Sequence, residues 1–196
     1  MKLKNKVAIV TGGGKGIGEE ISLGLAKEGA KVVVADLDKE NSSNVVKEIV
    51  KNNGDAIYVE TDVSNEASVK NLISETINRF DQIDILINNA GIRHVKKLEN
   101  HDLSDWDDMI SVNLTGPYIC CQAVIPEMKK IGKGKIINFG SIASFMGRPD
   151  RVGYVAAKSG ILGLTRALAI DLKGTNINVN TICPGLISKP FNKKYA

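Results

Sequence analysis

Tyr154 and Lys158 stand four residues apart, and Ser141 lies thirteen residues before the tyrosine. A phenol, an ammonium and a hydroxyl are the groups a proton-transfer site needs. On a helix, positions i and i+4 share a face, so the phenol and the ammonium meet over one turn. The stretch from Gly153 to Ile161 is alanine-rich, and Ile161, Leu164 and Leu168 continue it at helical spacing. A phenol titrates near ~10, too high to exchange protons readily at neutral pH. One positive charge about 4 Å away, at an effective dielectric of about 20, is worth roughly 4 kcal/mol. At about 1.4 kcal/mol per unit, that lowers the pKa by up to about three units. Tyr-x3-Lys also occurs on helices that do no chemistry, so the pair takes its meaning from what surrounds it.

The elements that must position these groups begin at the amino terminus. Lys6 to Val10 reads as a short buried strand, Thr11-Gly-Gly-Gly-Lys-Gly-Ile-Gly18 follows directly, and Glu19 to Glu28 places Ile21, Leu23, Leu25 and Ala26 in a mostly helical pattern. Strand, glycine loop and helix in that order give the glycines a function. They allow a tight turn and bring a diphosphate close to backbone N–H groups at the helix N-terminus, where the dipole favours negative charge. Gly12, Gly14, Lys15, Gly16, Ile17 and Gly18 are therefore candidate cofactor contacts. The spacing is Gly12-x3-Gly16-x-Gly18, with Glu19 where a G-x-G-x-x-G fingerprint has its last glycine. The alternative is a glycine-rich turn with no ligand.

The second strand, Lys31 to Asp36, ends on a carboxylate eighteen residues after Gly18. An acid at that offset accepts hydrogen bonds from an adenosine ribose and repels a 2′-phosphate, which selects NAD over NADP. Lys15 pulls the other way, since it could meet such a phosphate. Asp36 outweighs it, because its carboxylate would have to be desolvated against the phosphate. The competing reading of Asp36 is a solvated residue that caps the next helix.

Further along, Asn41 to Lys51 reads as a helix, Ala56 to Glu60 as a strand, Ala67 to Phe80 as a helix and Asp84 to Asn88 as a buried strand. A helix from Leu114 to Lys130 precedes a strand at Lys135 to Phe139. The Tyr154 helix runs to Leu172, and Ile177 to Ile182 supplies a sixth strand. Alternating strands and helices with short connections imply an α/β fold, a doubly wound parallel sheet of Rossmann type in a single domain. Apolar runs rather than alternation in the early strands fit burial on both faces.

With these residues in order, the chain resembles the short-chain dehydrogenase/reductase family over nearly its whole length. The likeness rests on Thr11 to Gly18, Asp62-Val63, Asn88-Asn89-Ala90-Gly91, Asn113, Ser141, Tyr154-x3-Lys158 and Pro184-Gly185. The resemblance implies that Asp62 and Val63 sit at the adenine and that Asn88 to Gly91 form the floor beneath the cofactor. It places Pro184, Gly185 and Ile187 at the nicotinamide carboxamide. The family often has a threonine four residues after that glycine, where this chain has Lys189 beside Ser188. By the same resemblance Lys158 holds the nicotinamide ribose and Asn113 anchors a water that links Lys158 to solvent. Ser141 hydrogen-bonds the substrate oxygen and stabilises developing alkoxide. Seen singly, Ser141 and Asn113 would read as loop or cap residues.

Together these residues imply reversible hydride transfer between NAD and a carbinol carbon of a secondary alcohol or ketone such as a sugar, sugar acid or polyol. Alternatives are an NADP-dependent 3-oxoacyl reductase, a catalytically silent cofactor-binding regulator and a structural subunit among active partners. His94 follows the Asn88 to Gly91 segment and could reach the substrate mouth; His101 reads as solvated. Trp106, Met109 and Ile110 read as the packing face of a helix.

The chain has 196 residues, 43% hydrophobic and 24% charged, enough for one sizeable core. The net charge of +4 comes from dispersed lysines, so no nucleic-acid partner is indicated. The apolar stretch after the basic start, Val7 to Val10, is too short for a signal peptide, and no stretch reaches membrane-spanning length. Cys120, Cys121 and Cys183 lack zinc spacing and read as reduced thiols in a cytoplasmic protein. Leu114 to Met128 and Val155 to Leu172 carry apolar residues, among them Tyr118, Ile119, Val124, Ile161 and Leu168. By resemblance these helices pair across a two-fold axis as a homodimer or homotetramer. The family continues with a substrate-covering segment and a seventh strand, which need roughly 30 residues or more, so the expectation is a chain shortened at its C-terminus.

Overall fold

In a computed structural model, which describes residues 1–187, six parallel strands lie in the order β3-β2-β1-β4-β5-β6. They are β1 (Val7–Thr11), β2 (Lys31–Asp36), β3 (Ala56–Glu60), β4 (Ile85–Asn88), β5 (Gly134–Phe139) and β6 (Ile177–Ile182). The helices are α1 (Gly16–Lys27), α2 (Lys39–Lys51), α3 (Glu66–Phe80), α4 (Leu103–Ile110), α5 (Gly116–Lys130) and α6 (Val152–Asp171). The positions of Ser188 and Lys189 fall outside the described residues.

Every residue of β1 is buried, as its apolar run requires in a sheet covered on both sides. Alternation sends Val7 and Ile9 into one core with Leu72 of α3 and Val124 of α5, and Ala8 and Val10 into the other with Val45 and Ile49 of α2. In β6, Ile177 and Val179 are buried while Asn178 and Asn180 are exposed. Among the described residues no strand lies beyond β6, and its alternating sequence matches that position. The strand order reverses at β1, where Thr11 is in register with Ala35 on one side and Asn88 on the other. Loops diverge at such a point and leave a crevice at the carboxyl ends of the strands.

Two local features depart from the expected pattern. The helix expected from Leu114 begins at Gly116, after one π-helical turn at Ser111–Thr115. Pro117 has no N–H to give the Asn113 carbonyl, which disfavours regular α geometry there. The short α4 was expected only as a packing face; Met109 is buried and Trp106 is 38% exposed. Of the apolar residues expected to face a second copy, Val124 and Ile161 are fully buried in the chain's own core. Their volume is used in packing the sheet. Tyr118 is about half exposed, and Ile119 and Leu168 are partly buried against the core.

Candidate active site

A cavity of ≈ 930 Å³ opens at the carboxyl ends of the strands, running from the α1 N-terminus to the α6 N-terminus. Its glycine end is fastened by two side chains. Thr11 Oγ1 accepts from the N–H groups of Asn89 and Ala90, both at 3.1 Å, and donates to the Ile87 carbonyl at 3.3 Å. Asn89 Nδ2 donates to the carbonyls of Thr11 and Gly12 at 3.0 and 2.9 Å. The loops after β1 and β4 are therefore tied across the switch point. Gly12 has φ +61°, and a Cβ there would stand 2.8 Å from Ala90 Cα. A Cβ on Gly18 would run into the Gly12 carbonyl oxygen, so α1 packs this close to the loop only with glycine.

Gly12, Lys15, Gly16 and Ile17 line the cavity; Gly14 and Gly18 do not. Gly14 instead donates its N–H to Asp36 Oδ2 at 2.9 Å. The residues fit a dinucleotide. Glu19, which lines the cavity, accepts from the Gly16 N–H at 3.2 Å, so the open N-terminus of α1 already draws an anionic oxygen.

Asp36 lines the same end. The helix-capping role considered for it belongs to Asp38, whose carboxylate accepts from Asn41 N at 3.1 Å. Asp36 Oδ1 accepts from Asp38 N at 3.0 Å. Lys15 forms an ion pair with Asp38. The lysine and the Asn41 donors hold the Asp38 carboxyl down at about 2, and the carboxylate raises Lys15. Asp62 and Val63 line the wall beyond; Asp62 Oδ1 accepts from Ser64 N and Oγ at 2.9 and 2.6 Å.

Asn88 does not line the cavity floor with its three followers. It is buried, and its Nδ2 donates to Asn138 Oδ1 at 2.8 Å. Asn138 Nδ2 in turn reaches Thr165 Oγ1 at 2.9 Å. This residue ends β4 in register with Asn138 of β5, so it serves the interior, while Asn89, Ala90 and Gly91 face the cavity.

Ser141, Tyr154, Lys158 and Asn113 converge at the other end with Pro184, Gly185 and Ile187. Lys158 is buried, with Nζ donating to the Phe139 carbonyl at 2.8 Å and lying 5.9 Å from the Tyr154 ring centre. Burial pushes the Lys158 ammonium down to about 8, partly offset by the neighbouring Cys183. Ser141 caps a single 3₁₀ turn, Ile142–Ser144; its Oγ accepts from Ala143 N at 3.1 Å, leaving its proton to donate into the cavity. The Ile142 N–H donates to the Pro184 carbonyl at 3.1 Å, which joins the Ser141 turn to the segment after β6.

Both polar atoms of the Asn113 amide are engaged. Nδ2 donates to the carbonyls of Ile92 and Met109, each at 3.0 Å, and Oδ1 accepts from Ile92 N at 3.3 Å. Its side chain positions the segment after Gly91, and Pro117 has no N–H to give the Asn113 carbonyl. His94 does not line the cavity; its Nε2 lies 3.8 Å from Asp108.

Sequence reasoning missed Ser144 and three arginines. Ser144 Oγ donates to the Lys158 carbonyl at 2.6 Å and accepts from Ser141 N at 3.1 Å, linking the two candidate catalytic elements. Its place three residues after Ser141, a capping-box spacing, is the signal that could have found it. Arg93, Arg148 and Arg151 line the cavity beside Ser141 and Tyr154; loops so far apart in the chain give no sequence signal of meeting.

The family model for short chain dehydrogenases matches residues 6–196. An uncharacterized oxidoreductase of Thermotoga maritima is 42% identical over 192 residues, 98% of this chain and 75% of that protein. A 3-oxoacyl-[acyl-carrier-protein] reductase of Synechocystis is 42% identical over 187 residues, 95% of this chain and 76% of that one. The crystal structure of a candidate short-chain alcohol dehydrogenase from Sinorhizobium meliloti superposes with a TM-score of 0.94 at 35% identity, covering 99% of this chain and 77% of the other. The chain belongs to the short-chain dehydrogenase family and is an oxidoreductase of that class.

Proposed function

We propose that the chain interconverts a secondary alcohol and its ketone with NAD as the preferred cofactor. The observation that carries this reading is one cavity holding the glycine loop and Asp36 at one end and Ser141, Tyr154 and Lys158 at the other. A nicotinamide dinucleotide held by the glycine loop, Asp36 and Lys158 would supply the hydride acceptor for the carbinol carbon, or the hydride for the carbonyl. The chain's own groups manage the proton and the oxygen. Tyr154 takes the hydroxyl proton in oxidation and gives it back in reduction. The Lys158 ammonium, held by the Phe139 carbonyl, places a positive charge beside the Tyr154 ring. The Ser141 hydroxyl, oriented by Ala143 N–H, donates to the substrate oxygen as negative charge develops. The Asn113 main chain is the place for a water that returns protons from solvent.

The cofactor preference rests on charge. Lys15, the one lysine lining the ribose end, is already paired with Asp38, and Asp36 adds a second carboxylate. A 2′-phosphate there would meet more negative charge than positive. The second reading, an NADP-dependent 3-oxoacyl reductase, is favoured by the name of the Synechocystis relative. A cytoplasmic location and assembly through the exposed parts of α5 and α6 remain part of the proposal. Among the described residues no helix is long and apolar enough to cross a membrane.

The test is nicotinamide absorbance against alcohols and ketones with Tyr154→Phe as the comparison. The phenol is the group assigned to move the proton, so turnover falls at least about a hundredfold while cofactor affinity changes little. Near-normal turnover in Tyr154→Phe sinks the assignment. A chain that binds NAD and turns over no alcohol or ketone is the silent regulator.

A further inference from the structure

We infer that the substrate is an anion: the alcohol or ketone carries a carboxylate or phosphate that Arg148 and Arg151 hold at the cavity mouth, with Arg93 on the facing wall. The inference rests on the oxidoreductase reading above and adds the substrate class to it. Arg151 precedes Tyr154 by three residues and is the N-cap of α6; Arg148 lies in the turn before it; Arg93 follows the Asn89–Gly91 segment. All three line the cavity with Ser141 and Tyr154. Among the described residues the carboxylates that line it are Glu19 in the first turn of α1, Asp36 at the end of β2 and Asp62 after β3, all at the opposite end.

The arginines of the α6 side are not balanced by the protein. Neither Arg148 nor Arg151 makes an ion pair among the described residues. Arg151 Nη1 reaches only the Pro149 carbonyl, at 3.4 Å, and its Nε is buried with no hydrogen-bond partner. Asp150, between the two, is exposed and has φ 58°; it pairs with neither. Asp108 faces His94 instead. A guanidinium donor buried without an acceptor is costly, and a planar fork matches the paired oxygens of a carboxylate or phosphate. The N-terminus of α6, a helix of 20 residues, adds its dipole to the same end. A neutral polyol would use none of this.

The test pairs charged compounds with neutral partners: a hydroxy acid with its amide, and a polyol phosphate with the free polyol. All are assayed on the full chain with saturating NAD, with a neutral 3-oxoacyl thioester in the reductive direction. The expected result is a kcat/KM at least tenfold higher for the charged member of one pair. That ratio collapses at least fivefold in Arg151→Gln and in Arg148→Gln, mainly through KM, and recovers in part in Arg151→Lys. The two pairs tell carboxylate from phosphate.

The same compounds are titrated against NADH fluorescence in the Tyr154→Phe variant, which reads binding without turnover. Arg151-dependent binding of a charged member with no turnover in the unmodified chain overturns the oxidoreductase reading and leaves the anion site standing. Equal or better use of the neutral members, a thioester that outruns every small anion, or neither binding nor turnover of any charged member overturns the anion proposal.

Discussion

The two ends of the cavity carry opposite charge and manage it differently. At the glycine end the carboxylates Glu19, Asp36 and Asp62 line the wall, and the cation present, Lys15, is exposed and paired with Asp38. At the α6 end the lining cations are Arg93, Arg148, Arg151 and the buried Lys158, with no lining carboxylate among the described residues. An exposed pair such as Lys15–Asp38 contributes little, because water screens it. Lys158, 5% exposed, sits where screening is weak, so its charge acts on whatever occupies the site. On the proposed reading, one crevice sorts two ligands: a ribose without a 2′-phosphate at one end, an oxygen that gains negative charge at the other.

The largest effect expected from breaking this contrast is in Lys158. Burial holds its folded pKa at about 8, below the ordinary 10.5. Below pH 8 both folded and unfolded chains are protonated, and the cost of burying the ammonium is fully present. As pH rises through 8 the folded chain releases the proton before the unfolded one does, so this group's contribution to stability rises until about 10.5. Urea unfolding of the unmodified chain against Lys158→Met measures it. The difference between the two should shift in favour of the unmodified chain by about 2 kcal/mol between pH 7.5 and 9.5, at ~1.4 kcal/mol per unit. Lys15→Met should show no such dependence. A flat difference for Lys158 means that its charge is solvated and the two ends are alike.

A smaller effect is expected at Asp36. Asp36→Ala removes the carboxylate that a 2′-phosphate would meet, and the ratio of NAD to NADP affinity should fall about tenfold, the equivalent of ~1.4 kcal/mol. Fluorescence titration of both cofactors reads it directly. A clear NADP preference in the unmodified chain would break the comparison at its acid end and favour the 3-oxoacyl reductase reading.

Much of this layout was legible in the sequence where one element carries it. β2, β3 and β6 have the boundaries expected from their sequence patterns, and Tyr154 and Lys158, four residues apart, both line the cavity. What escaped depends on contacts between elements. Asn88 and Asn89 are neighbours of the same type, yet one turns inward to Asn138 and the other clamps the glycine loop; only the pairing of β4 with β5 decides which. The short α4 is rich in aspartate, which weakens its helical pattern, although Asp105 accepts from Asp102 N at 2.9 Å in a capping arrangement that the spacing advertises. The three arginines line one cavity because Arg93 follows β4 and the other two precede Tyr154 on α6, a convergence made by the sheet order.

The finest test concerns the joint between Ser141 and Lys158. Ser144 is 8% exposed, and its hydroxyl bridges the Ser141 N–H and the Lys158 carbonyl. Ser144→Ala leaves both groups to find other partners in a buried place, at a cost of about 1 kcal/mol in unfolding free energy. A purely structural serine would show that cost alone. If the joint sets where Ser141 stands relative to the helix bearing Tyr154, kcat also falls, by several-fold, while NAD affinity stays as it was, because Ser144 does not line the cavity. Ser144→Thr keeps the hydroxyl and should restore kcat wherever the added methyl is tolerated. The split between kcat and cofactor affinity therefore separates the α6 end from the glycine end with a residue that touches neither ligand. A parallel loss of NAD affinity would mean that the two ends are one mechanical unit and that their opposite charges are not tuned independently.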